Sequence, residues 1–175
     1  MSGNSNMESM KPFHVDAANR TLRVFRLLSR FPFGKFIYSK LVNFYAPYTG
    51  TIRAVVTDLI PGRCTTEMKD RRSIQNHLRT VHAIALCNLC EMTMGLMVDA
   101  TIPPHLRWIP RGMTVHYIKK ACGKLSGRSW IDPDALAHGD QTVPVEIHDM
   151  SGDIVVRADI MLSVSRRPDR DLRVS

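Results

Sequence analysis

Residues 76–98 read NHLRTVHAIALCNLCEMTMGLMV, and the run from Val81 to Val98 decides the fold. It is dominated by Ala, Ile, Leu, Cys and Met and has no internal proline, which predicts a helix apolar on nearly every side. Eighteen such residues also reach the length of a bilayer span. Three polar residues oppose that reading: His82, Asn88 and Glu91 interrupt the run, and an ionisable group near a bilayer centre is costly. The sequence therefore points to a soluble helix wrapped by a sheet.

On either side of this helix the period changes to two. From Gly50, Ile52, Ala54 and Val56 alternate with Arg53, Val55 and Thr57, and Pro61-Gly62 turns the chain into a second strand through Met68. After Pro103-Pro104 and Pro110, a strand carries Met113, Val115 and Tyr117 on one face, and a turn near Gly123 or Gly127 leads to Trp130-Ile131. Thr142 to His148 alternates again. Beyond the Ser151-Gly152 turn, Val156, Ala158, Ile160, Leu162 and Val164 alternate with Arg157, Asp159, Met161, Ser163 and Ser165. Two strands, one long helix and about four strands make an α+β chain, an antiparallel sheet of about five or six strands with one face on one helix.

Ahead of the sheet, Asp16 is placed to cap a helix from Ala17 to about Ser29 with Leu22, Phe25 and Leu28 on one stripe, ended by Phe31-Pro32-Phe33-Gly34. A second amphipathic helix is expected from Lys35 to Phe44. The chain thus divides into a flexible start (1–15), a helical extension packing on the domain (16–49), one domain (50–165) and a polar tail (166–175).

A chain of 175 residues, 44% hydrophobic, suffices for one core. Its first ten residues lack the charged and apolar regions of a secretory signal, and its four cysteines are too few for a disulfide scaffold. Free thiols and a cytoplasmic location are expected. The net charge of +8 is uneven: Lys11, Arg20, Arg23, Arg26, Arg30, Lys35 and Lys40 face only Glu8 and Asp16 before position 50. Without a zinc pattern or an aromatic-studded recognition strand, this excess does not indicate nucleic acid. The expected arrangement covers the open sheet, with Leu22, Phe25, Ile37, Leu41 and Phe44 inward and the charges outward, and leaves weak membrane-surface contact open.

Residues 76–80 enter the long helix, which is expected to begin near His82 with its first N–H groups unpaired. Those amides and the helix dipole can hold a polarised carbonyl oxygen. His82 can also serve simply as the cap. Glu91 lies further along, among Leu89, Cys90, Met92 and Met94, where burial would raise its pKa and make it a better base. From Ala83 to Glu91 the axial rise is about 12 Å, too far for one helix to bring both to the same carbonyl. If both act, two subunits share each site, which predicts a homodimer or a dimer of dimers.

These residues resemble the hotdog-fold acyl-CoA thioesterases of the phenylacetyl-CoA thioesterase type, whose motif is an Asn, a short Gly-containing loop, His-Gly-Gly opening the central helix, and an Asp or Glu along it. The chain looks closest to a branch of that superfamily without an assigned substrate. The resemblance implies hydrolysis of an acyl-CoA or acyl-carrier-protein thioester. Carried over by position, Asn76 and the Ala83 amide would hold the thioester oxygen, His82 would take the place of the motif histidine that opens the helix, and Glu91 of the other subunit would be base or nucleophile. Ala83-Ile84 replace Gly-Gly, and Arg79 stands where a loop glycine is usual and could meet a substrate carboxylate or phosphate. Relatives that add a Ser or Thr on the next strand would place it at Pro110, with Thr114 the nearest hydroxyl. Lys119 and Lys120, with Lys124 and Arg128, could meet coenzyme A phosphates. No cofactor is implied beyond coenzyme A as part of the substrate, and no metal, because Cys87 and Cys90 sit mid-helix without a second matching pair. Two other readings remain. A hotdog dehydratase or hydratase would pair His77 with Glu91, although its Gly-His-Phe-Pro loop is absent; a non-catalytic module would only bind acyl-CoA.

Overall fold

The computed structural model describes residues 19–168. In chain order its elements are α1 (Arg20–Leu28), α2 (Gly34–Tyr45), β1 (Val55–Ile60), β2 (Arg63–Lys69), α3 (Ala83–Thr101), β3 (Leu106–Tyr117), β4 (Lys124–Trp130), β5 (Gly139–His148) and β6 (Ile154–Arg166). The strands form one six-stranded antiparallel sheet in the order β1-β2-β4-β5-β6-β3. α3 carries the chain from the β1–β2 side of the sheet to its far edge, β3. This is the α+β hotdog arrangement that the sequence predicts.

α3 starts at a His82 cap and stops at Thr101, because Ile102 precedes Pro103 and is extended (φ −61°, ψ 135°). Its composition and length would suit a membrane span, with a mean hydropathy of 1.4 over 18 residues. Yet 13 of its 19 residues are buried, Leu89, Met94 and Met97 completely, along with Leu125, Val143, Ile147, Ile160 and Leu162 of the sheet. The alternation in β6 is observed as read: Val156, Ala158, Ile160, Leu162 and Val164 are all buried.

Gly127 is not a turn, contrary to one expectation. It lies inside β4, paired with Thr66 and Ile147, and a Cβ there would come within 2.7 Å of Thr93 Oγ1 and 2.8 Å of Thr66 Oγ1. Those hydroxyls are themselves 2.6 Å apart, and Thr93 also donates to Leu89 O at 2.6 Å. The glycine lets the helix approach the sheet here. Gly123, in the left-handed region (φ 72°), marks the turn before β4.

Other boundaries shift for local reasons. The first strand does not run from Gly50: Thr49–Thr51 form a 3₁₀ turn, and Arg53 adopts φ 51°, so β1 begins at Val55, although Ile52, Ala54 and Val56 are all buried. α1 is capped by Asn19, whose side chain accepts from Leu22 N; the expected Asp16 cap lies outside the described residues. β6 runs through Arg166, and the Arg167 N–H bonds His105 O at 2.8 Å.

α2 lies along the free edge of β1. Ser39 Oγ accepts from Val56 N at 2.8 Å, and Lys35 Nζ donates to Thr57 O, which blocks pairing at this edge. That contact turns the expected orientation of α2 around. Tyr38 and Ser39 are buried, whereas Ile37, Leu41 and Phe44 are 46%, 51% and 85% exposed. Leu22 and Phe25 of α1 do face inward, where Phe25 meets Tyr38 edge to face at 5.0 Å.

Gly127→Ala should therefore cost about 1–3 kcal/mol through overpacking, read as a lower urea midpoint. An unchanged midpoint would mean that α3 does not press on β4 at this point.

Candidate active site

The loop before α3 is built around one side chain. Gln75 and Val81 bridge its ends, and Asn76 Oδ1 accepts from Leu78 N at 2.9 Å and Thr80 N at 3.2 Å, while its Nδ2 donates to Thr80 Oγ1 at 2.8 Å. Arg79 adopts φ 59°, a left-handed conformation that favours glycine; the Arg side chain itself is exposed. The loop is then pinned to the domain by Val81 N to Ala121 O (2.9 Å) and His82 N to Ile74 O (2.8 Å).

His82 caps the helix. Its Nδ1 accepts from Ile84 N at 3.1 Å, so that nitrogen carries a lone pair. Its carbonyl takes the N–H groups of Ala85 and Leu86 at 2.9 and 3.2 Å. The first helical N–H, that of Ala83, finds no acceptor among the described residues. It is a free donor at the positive end of the helix dipole, an arrangement suited to negative charge on an oxygen.

A cavity of about 210 Å³ opens beside this helix start, lined by Tyr48, Thr51, Gln75, His82, Ala85 and Asn88 among others. Asn88 ties its wall together, donating through Nδ2 to Tyr48 O (3.1 Å) and Thr51 Oγ1 (3.2 Å). Its Oδ1 is buried without a partner. A buried amide inside an apolar helix is legible as polar in the sequence, but the 3₁₀ turn it holds is distant in the chain and left no pattern.

Glu91 departs from the expected setting. It is exposed, because Leu89, Cys90, Met92 and Met94 take the sheet side of α3 and the helical step turns Glu91 to the flank that also carries Ile84 and Cys87. Glu91 does not line the cavity. Beside it on the helix, Cys87 Sγ lies 3.1 Å from Tyr117 OH of β3. That hydrogen bond, with burial adding to it, pushes the Tyr117 hydroxyl up to about 12. Sequence periodicity could not foresee this pair, since it joins two elements thirty residues apart. Burial likewise pushes the Cys90 thiol up to about 12, which favours the protonated thiol at neutral pH.

The remaining candidates lie apart from the cavity. Thr114 is exposed on β3, opposite Asp159. Lys119 Nζ sits 2.7 Å from both Asp149 and Asp153; its hydrogen bonds to these carboxylates hold its pKa above the usual lysine range, and Lys119 in turn holds Asp149 below the usual carboxylate range. Lys120 and His77 are exposed, and Lys124 pairs with Glu67 at 2.8 Å.

A single long helix wrapped by an antiparallel sheet, with a free amide where the helix opens on a cavity, defines a hotdog-fold protein. The chain belongs to the family described as a domain of unknown function, DUF4442, which matches residues 34–164. Comparison with curated proteins gives no match. Among solved structures, it is similar to the structural-genomics protein APC5556, with 36% identity over 84% of this chain and 99% of that one and a TM-score of 0.75. It also shares its fold with a Pseudomonas aeruginosa protein of unknown function described as a probable thioesterase (16% identity, 78% and 97% of the two chains, TM-score 0.69). A thioesterase from Haemophilus influenzae has the same fold (12% identity, 68% and 82%, TM-score 0.61).

The loop chemistry predicts opposite effects at two neighbouring positions. Asn76→Ala strands two backbone donors and should cost about 1–3 kcal/mol in urea unfolding, whereas Arg79→Gly relieves a left-handed side chain and should be neutral or stabilising by up to about 1 kcal/mol. Equal destabilisation by both would mean that the loop is held by something other than these contacts.

Proposed function

We propose that the protein hydrolyses an acyl thioester, carried by coenzyme A or an acyl-carrier protein, at a site shared between two subunits. The observation that carries this reading is the free Ala83 N–H at the start of α3, between His82 and Ile84 of a cavity wall and beside a self-braced loop. A thioester carbonyl oxygen placed there would accept from Ala83 N, with the second hydrogen of the Asn76 amide as a further donor. Glu91 from the other subunit would take a proton from water as the water oxygen bonds to the carbonyl carbon. Collapse of the tetrahedral intermediate breaks the C–S bond, and the departing thiolate recovers that proton from Glu91, leaving a carboxylic acid and a free thiol. The solved thioesterases of the same fold support this class of reaction.

Two features support a shared site. Glu91 is exposed and about 12 Å along the axis from Ala83. β3, twelve residues long, has one edge unpaired among the described residues and carries exposed Ile109 and Tyr117; such an edge can be completed by the same strand of a second copy. A cytoplasmic homodimer is the assembly this reading requires.

The test is release of thiol from a panel of acyl-CoAs. Glu91→Gln should abolish turnover. Ala83→Pro removes only the donor, since proline is accepted at the first helical position and His82 is already extended (φ −63°, ψ 139°); losing one oxyanion donor should lower kcat about 10²–10³-fold. Mixing the two inactive variants and reassociating them should restore about a quarter of wild-type activity, because half the dimers would then hold one intact site. Activity unchanged in Glu91→Gln, or no recovery on mixing, would overturn the mechanism or the sharing respectively. Tight acyl-CoA binding with no turnover in the wild type would favour a binding module instead.

A further inference from the structure

We infer that the α1–α2 hairpin docks on an anionic phospholipid surface, a role independent of the thioester reading. The observation is a helix whose apolar stripe points the wrong way for a core. Along α2, Phe36, Ile37, Lys40, Leu41 and Phe44 fall on one side at helical spacing, and all are exposed. The opposite side, Tyr38 and Ser39, is the one buried against the domain. The stripe continues into the connection with α1, where Phe31 and Phe33 are 62% and 83% exposed, and at the other end through Tyr45, the last residue of α2, to Tyr48, both exposed.

The charge around this stripe identifies its partner. From Ala17 to Thr57 the chain has no acidic residue and seven basic ones. Arg20, Arg23, Arg26 and Arg30 line a groove of about 500 Å³ along α1, with Val24 and Leu27 between them. Lys40 Nζ lies 5.3 Å from the Phe36 ring, a cation within the stripe itself. None of these four arginines, nor Lys35 or Lys40, is ion-paired among the described residues. Aromatic and aliphatic side chains flanked by arginine and lysine form the pattern of a helix that lies at the headgroup boundary, inserting rings while its cations meet lipid phosphates. A second copy of this face is a poor occupant, since a two-fold contact would bring both sets of cations together. The hairpin also sits at the β1 edge of the sheet, at the opposite end of the strand order from the unpaired β3 edge. Docking there leaves β3 free.

The experiment is co-sedimentation of the full-length protein with phosphatidylcholine vesicles, with and without about one third phosphatidylglycerol. Binding should require the anionic lipid and fall at least about tenfold when salt is raised from roughly 0.15 to 0.5 M. Phe33→Ser with Phe44→Ser, two nearly fully exposed positions, should lower vesicle binding about tenfold or more while leaving the thermal midpoint unchanged; Arg23→Glu with Arg26→Glu should do the same without touching an aromatic ring. The proposal is overturned if the wild type ignores anionic vesicles, or if either double variant binds them as the wild type does. It is also overturned if the Phe variant changes only the oligomeric state in sedimentation velocity, or only retention of nucleic acid, since the face would then serve a second copy or a polynucleotide.

Discussion

The packing of α3 on the sheet is the contact from which the other features of this molecule follow. A nineteen-residue helix with so little polar surface cannot stay in water, and one curved sheet has to cover it. Removing a Leu or Met side chain from water contributes roughly 1.5–3 kcal/mol, and 13 residues of this helix are buried. The close approach is made at Gly127, where Thr93 and Thr66 meet hydroxyl to hydroxyl in space that a Cβ would fill. The same geometry exposes what the sheet does not reach: the helix start, with its free Ala83 amide, and the outer flank with Ile84, Cys87 and Glu91.

The loop before the free amide is braced by the Asn76 side chain, which accepts from two backbone amides and donates to Thr80. His82 satisfies the Ile84 amide through its ring and takes two more amides on its carbonyl, which leaves one donor rather than several. A helix start with all its amides capped would offer nothing to an incoming oxygen.

The two ends of the sheet are treated differently. At β1, Ser39 and Lys35 of α2 occupy the backbone groups of the edge, and the cost of that contact is an aromatic stripe left facing solvent. At β3 no element of the described chain covers the edge. One surface is basic and aromatic; the other offers strand hydrogen bonds beside an exposed carboxylate.

The sequence alone determined the class of fold, because burial imposes a period on the chain: a largely apolar helix, marked by His82, Asn88 and Glu91 and set between stretches of period two, reads as a helix against a sheet, and the motif from Asn76 to Ala83 is local and therefore legible. What only the tertiary structure decided is direction. Whether Ile37, Leu41 and Phe44 face in or out depended on which side of α2 met the β1 edge, and the buried Ser39–Val56 bond settled it outward. Whether Glu91 was buried depended on how far the sheet wraps around α3, and it stops short of that flank. Gly127 read as a turn residue because glycine permits both a turn and a close approach, and nothing within the strand itself distinguishes them. Periodicity records that a residue has an apolar neighbour; the three-dimensional packing alone says whether that neighbour belongs to the same chain.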